Sequence, residues 1–176
     1  MDIDPELATE EQSGGPPFFN TPDSKARLTA AVAQWKGTPF REGIGQKARP
    51  GIGADCASFA DRIMANLGAI TPAKWPERYA TYGGGRQMLG SILEVLNVIP
   101  ELKIIWRKGD HPKVENQVKV GDVILCSTGY SLHHLAIYMG GNVIVHCLMR
   151  GGVQEGNLFD PIVYRNILTV YRPIRL

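Results

Sequence analysis

The chain changes its hydrophobic period partway along, and that change limits the folds open to it. Up to Asn97 the apolar residues recur at helical spacing; from Gly121 onward they fall in short runs punctuated by glycines. Leu28, Val32 and Trp35 mark one face of a helix that starts at Thr21-Pro22-Asp23-Ser24 and stops at Gly37. Phe59, Ala60, Ile63, Met64 and Leu67 mark a second, with Gly68 as its stop. Residues 86–97 read as a third, with Met88, Leu89, Ile92, Val95 and Leu96 inward. Strands are expected at 103–107, 122–126, 134–139, 143–147, 153–155 and 167–172. Helices first and strands after predict an α+β fold with a central antiparallel sheet.

A length of 176 residues suits one domain with a tail. Residues 1–23 are acidic, then rich in glycine and proline, and read as a flexible extension; residues 24–176 form the domain. Phe18 and Phe19 break that pattern and are expected to dock on the body. Met1 to Gln12 lack a basic segment followed by an apolar one, so they do not read as a secretory signal. A role outside the producing cell then implies delivery by lysis, a phage particle or a secretion machine. The net charge is +2 with both signs interspersed, which leaves no footprint for nucleic acid. No apolar run approaches a membrane span. The turn-rich stretch 71–85 carries Trp75, Tyr79 and Tyr82, and the polar loop 108–118 carries a solvated His111.

The chemistry centres on Asp55-Cys56. A glycine-rich loop, 41–54, delivers the chain to Asp55, a good N-cap, and Cys56 falls at the first helical position. Unsatisfied N–H groups and the helix dipole favour thiolate over thiol there, which suits a nucleophile. The same residue also suits a small buried apolar position. A nucleophile needs a base, and the base an orienting group. In the run 134–139, His134, Ala136 and Tyr138 share a face; in the next, Ile144 and His146 do. A two-residue turn at Gly140-Gly141 sets Leu135 opposite His146 and separates the histidines. A three-residue turn, Gly140-Gly141-Asn142, sets Ala136 opposite His146 and makes His134 its diagonal neighbour, roughly 7–8 Å away. The glycines favour the longer, bulged form. Two half-buried sheet histidines with unrelated partners remain the alternative. His133 points to the other face. Cys126 and Cys147 read as small apolar sheet residues, and the spacing of the cysteines and histidines gives no zinc site, so neither metal nor cofactor is expected.

Three separated stretches carry a resemblance. They are Trp35-Lys36-Gly37-Thr38-Pro39-Phe40-Arg41, then Asp55-Cys56-Ala57-Ser58-Phe59, then Gly121 to Leu125 with His134 to Gly140 and Val143 to His146. Together they resemble the NlpC family of papain-like cysteine peptidases, which cut bacterial cell-wall peptides. The resemblance covers about residues 30–176, and the long segment before Gly121 with Tyr171-Arg172-Pro173 looks most like the phage-tail and prophage branch. It implies a papain-like fold, Cys56 as nucleophile, His134 as general base and His146 as the orienting third residue. It also implies a stem-peptide substrate cut next to a D-glutamyl residue, with Asp55 helping to hold the substrate's amine. Phe40 stands where the family often has Tyr, which leaves oxyanion stabilisation to backbone N–H groups such as that of Cys56. Ala57-Ser58 replaces the family's Ser-Gly, and the bulkier Ser58 is expected to tighten the helix's approach to the sheet. The competing expectation is a phage-tail or assembly component with the same fold and little turnover, or a related amidase or acyltransferase effector, with phage-tail or secretion-machinery proteins as partners.

Overall fold

The computed structural model describes residues 15–74, 86–128 and 131–176, and, for residues 86–91, 128 and 131–133, the backbone only. Three helices come first: α1 (Pro22–Trp35), α2 (Cys56–Asn66) and α3 (Arg86–Asn97). Six strands follow: β1 (Leu102–Arg107), β2 (Val123–Thr128), β3 (Ser131–Gly140), β4 (Val143–Leu148), β5 (Gly152–Asn157) and β6 (Ile167–Pro173). They form a single antiparallel sheet in the order β1-β6-β2-β3-β4-β5. A four-residue helix, α4 (Pro161–Tyr164), separates β5 from β6. The α+β architecture expected from the change of period is the one observed. The sequence reading missed α4, whose signal is an N-cap, Asp160, followed by proline at the first helical position.

Alternation along the strands divides the core in two. Val123, Leu125, Leu135, Ile137, Val145 and Cys147 face the helices, joined by Leu28, Val32 and Trp35 of α1 and Phe59, Ile63 and Met64 of α2. Ile124, Cys126, Ala136, Tyr138, Ile144 and Val170 face the other way, under Leu158 and Val163. Phe59 and Trp35 meet edge to face, ring centroids 5.8 Å apart, which locks α1 to α2. From α3, Ile92 and Leu96 enter the first cluster. Met88 and Leu89, expected to point inward, have side chains outside the described residues, as do Trp75, Tyr79 and Tyr82 entirely.

The approach to α1 is docked. Pro17 bridges Ile174, the Phe18 N–H donates to the Pro173 carbonyl at 2.8 Å, and Phe19 is 4% exposed. Phe19 lies over Gly121, where a Cβ would fall 2.1 Å from its ring and where φ is +90°. Only glycine satisfies both conditions. The glycine of Gly121-Asp122 thus anchors the segment before α1 to the turn that leads into β2.

Candidate active site

The site starts from how α2 begins. Asp55 is extended at its N-cap, and its Oδ1 accepts the Ser58 N–H at 2.7 Å. The Ser58 hydroxyl returns the bond, accepting the Asp55 N–H at 3.0 Å. This is a capping box with serine in the position usually held by Glu or Gln. It gives Ser58 a role, closing the first turn, in the place where the family pattern puts glycine. The second Asp55 oxygen accepts the Gly43 N–H at 2.9 Å, which pins the glycine-rich loop to the helix start. Asp55 is 0% exposed. Cys56 follows at the first helical position, 2% exposed.

Four more bonds fix that helix end to the sheet. The Ala54 N–H donates to the Pro39 carbonyl at 3.0 Å, and the Arg41 N–H donates back to the Ala54 carbonyl at 2.7 Å. The Val153 N–H donates to the Thr38 carbonyl at 2.9 Å, so residues 38–41 run between β5 and the Cys56 loop. The Cys147 thiol also donates to the Ala54 carbonyl, at 3.2 Å. Ala54 lies two residues before Cys56, and Cys147 one residue after His146. That last bond therefore ties the start of α2 to the strand that carries His146.

The hairpin decides where the histidines go. Ala136 pairs with His146, the register of the longer turn. It is reached by a two-residue turn, Gly141-Asn142, with φ of 56° and 67°, plus a bulge that leaves Met139 unpaired between Tyr138 and Gly140. The extra residue puts His134 and His146 on one face. His134 Nε2 lies 2.9 Å from His146 Nδ1, and the rings meet edge to face with centroids 4.9 Å apart. Their exposures are 6% and 5%. Burial, and then the neighbouring His146, hold the His134 pKa well below its ordinary value. Burial likewise lowers His146, partly offset by the negative charge of Asp160. Both rings are therefore neutral at neutral pH, as a base awaiting a proton must be.

The other cysteines are inert by comparison. Burial pushes the Cys126 thiol up to about 12, and burial together with the Asp55 charge does the same to Cys147. Among the described residues no group of three or more His, Cys, Asp or Glu side chains is placed to hold a metal ion. No described helix is long and apolar enough to cross a membrane. His111 is exposed on its loop, and His133 lies in β3 beside His134. Gly156 has a part that sequence reasoning did not reveal. A Cβ there would fall 2.9 Å from His146 Nε2, so its bare backbone makes room for the ring. Only the β4–β5 register, which pairs Ile144 with Gly156, exposes that fact.

The chain has relatives among known proteins. The chain is 25% identical over 140 residues to the murein DD-endopeptidase MepS/murein LD-carboxypeptidase of Escherichia coli K12, and the match covers 79% of this chain and 57% of that protein. The chain thus spans a little over half the length of the curated relatives it matches. Among solved structures, an NlpC/P60 family protein from Bacillus cereus superposes with a TM-score of 0.52 at 18% identity, over 86% of this chain and 40% of that one. A lipoprotein-like protein of the same family from Staphylococcus aureus gives 0.57 at 15% identity, over 91% and 44%. The P60 domain of a Mycobacterium avium subspecies paratuberculosis antigen (M. avium) gives 0.51 at 16%, over 86% and 96%. These likenesses show the papain-like fold. The NlpC/P60 family model matches residues 37–172, most of the chain and every site residue just described, and the chain belongs to the NlpC/P60 family.

Proposed function

We propose that the protein is a cysteine peptidase that hydrolyses peptidoglycan stem peptides. The observation that carries this reading is the 2.9 Å contact between His134 Nε2 and His146 Nδ1, in a family member whose α2 opens with a capped cysteine. With Nε2 of His134 engaged by His146, Nδ1 is the nitrogen left to take a proton. In the proposed reaction His134 Nδ1 accepts the Cys56 thiol proton and the sulfur attacks the scissile carbonyl. The imidazolium then returns the proton to the leaving amine, which leaves an acyl-enzyme. Water, deprotonated by the same histidine, releases the acid and restores the thiol. The Cys56 backbone N–H at the helix start is suited to the oxyanion. The helix dipole favours the thiolate through the same turn.

The finer assignment is cleavage beside a D-glutamyl residue, with Asp55 favouring the substrate's amine. The Asp55 carboxylate is buried and bonded to two N–H groups, so it acts through its charge. The test is digestion of defined muropeptides by the wild type and Cys56→Ala, with products identified by mass spectrometry. New termini at the D-glutamyl bond, absent with Cys56→Ala, are expected. Cutting only at D,D-cross-bridges would overturn the bond assignment. Equal products from both proteins would overturn the nucleophile. No products at all from either would leave the fold serving assembly instead.

A further inference from the structure

One buried thiol has a partner far away in sequence. Cys147 lies on β4, and its side chain joins the cluster under the helices. Its S–H donates to the Ala54 carbonyl at 3.2 Å, across 93 positions of chain. The other bonds of Ala54 go to the segment that precedes it. Its N–H donates to the Pro39 carbonyl at 3.0 Å, and its carbonyl also accepts the Arg41 N–H at 2.7 Å. That segment meets the sheet at β5, where the Val153 N–H donates to the Thr38 carbonyl. The thiol reaches β4 instead. It couples the residue two before Cys56 to the residue one after His146.

Two properties suit this bond to setting geometry rather than holding the fold. A thiol donates only while it keeps its proton, and burial, then the Asp55 charge, push Cys147 up to about 12. It therefore stays a donor at neutral pH. Loss of the donor also orphans nothing, because the Ala54 carbonyl keeps the Arg41 N–H.

We propose that Cys147 is a positioning residue whose thiol–carbonyl bond fixes the start of α2 against β4. It thereby sets where the Cys56 sulfur stands relative to the His134–His146 relay. The inference rests on the cysteine–histidine reading above, and the experiment separates the two. Cys147→Val keeps an apolar side chain of similar size that suits a strand, but it has no donor. Cys147→Ser keeps a donor and gives up apolar packing. A packing role ranks valine above serine; a positioning role ranks serine above valine.

The readout is the rate of Cys56 alkylation by iodoacetamide against pH, resolved by peptide mass spectrometry, with melting temperature measured alongside. Asp55 and the helix dipole stay in place in both variants, so a shifted profile reports the imidazoles. Cys147→Val is expected to slow alkylation about three- to tenfold at neutral pH and to move the profile upward. Cys147→Ser is expected to recover most of the wild-type rate despite a lower melting temperature. A wild-type profile in Cys147→Val, or a slower rate in Cys147→Ser than in Cys147→Val, overturns the proposal. The bond itself is read with position 147 intact, from the Raman S–H stretch of the Cys56→Ala/Cys126→Ala double variant, in which Cys147 is the remaining thiol. A band lowered by donation is expected; a band at the frequency of a free thiol overturns the proposal. Wild-type alkylation at Cys56 no faster than at Cys126 or Cys147 overturns instead the nucleophile reading on which it rests.

Discussion

Cys147 shows how much a single side chain sets apart the three thiols. It gives its hydrogen to the Ala54 carbonyl, is 2% exposed, and sits near the Asp55 charge. Burial alone holds Cys126 equally high, both at about 12. Neither presents a thiolate at neutral pH, whereas Cys56 begins a helix. Labelling with iodoacetamide followed by peptide mass spectrometry is expected to modify Cys56 at least tenfold faster than either of the others. Equal labelling would mean that the helix start confers nothing. Gly156 supplies a second prediction at this scale. A methyl group there would fall 2.9 Å from His146 Nε2 and 3.3 Å from the Ile144 side chain. Gly156→Ala is expected to displace the imidazole and to lower turnover by more than it lowers stability. Muropeptide digestion and thermal melting, measured together, check this. A melting temperature that collapses while the specific activity of the folded fraction persists would place Gly156 in packing alone.

Between elements, Asp55 and Asp122 hold the joints. Asp55 caps α2 and grips the Gly43 N–H, so truncation leaves two N–H groups without partners in a buried corner. Asp55→Ala is expected to cost about 2–4 kcal/mol of stability, the loss of a cap plus a buried unpaired donor. A loss under about 0.5 kcal/mol in urea unfolding would show the loop to be held by other contacts. Asp122 accepts from Arg172 Nε at 2.9 Å and from its second guanidinium nitrogen at 2.7 Å, which joins the start of β2 to β6. These joints explain what was legible in the sequence and what was not. The helices, the strands and the Asp55 cap show in residue type and spacing, because each is decided locally. The hairpin register was legible only as a choice between two turns, and Gly140-Gly141-Asn142 favoured the correct register, which the chain reaches by a two-residue turn and a bulge. Its bulge at Met139 was not visible, since nothing in a methionine marks it as unpaired. Ser58 as the reciprocal cap had a signal in its spacing from Asp55. Gly156 and the thiol bond of Cys147 had none, because both depend on which strand lies alongside.

For the molecule as a whole, the same burial that keeps the site neutral sets a range of pH in which the fold is most stable. His134 and His146 have folded-state pKa values lowered from 6.5. As pH falls through 6.5 the unfolded chain takes up protons that the folded chain refuses, so stability declines below that point. Each histidine contributes up to about 1.4 kcal/mol per pH unit over that interval. At the other end, Cys126 and Cys147 are raised from 9.0 to about 12. There the unfolded chain loses protons first, and stability declines as pH rises above 9. Asp122 works against the acid limb, since burial raises it from 3.8 despite Arg172 and the folded chain gains its proton before the unfolded chain does. Urea melts from pH 4 to 10 are expected to give a maximum between about 6.5 and 9, with His146→Asn flattening the acid limb and Cys126→Ala the alkaline one. If His146→Asn left the acid slope unchanged, the imidazole would be charged in the folded protein. The relay would then hold a proton before catalysis begins, and His134 would be no base.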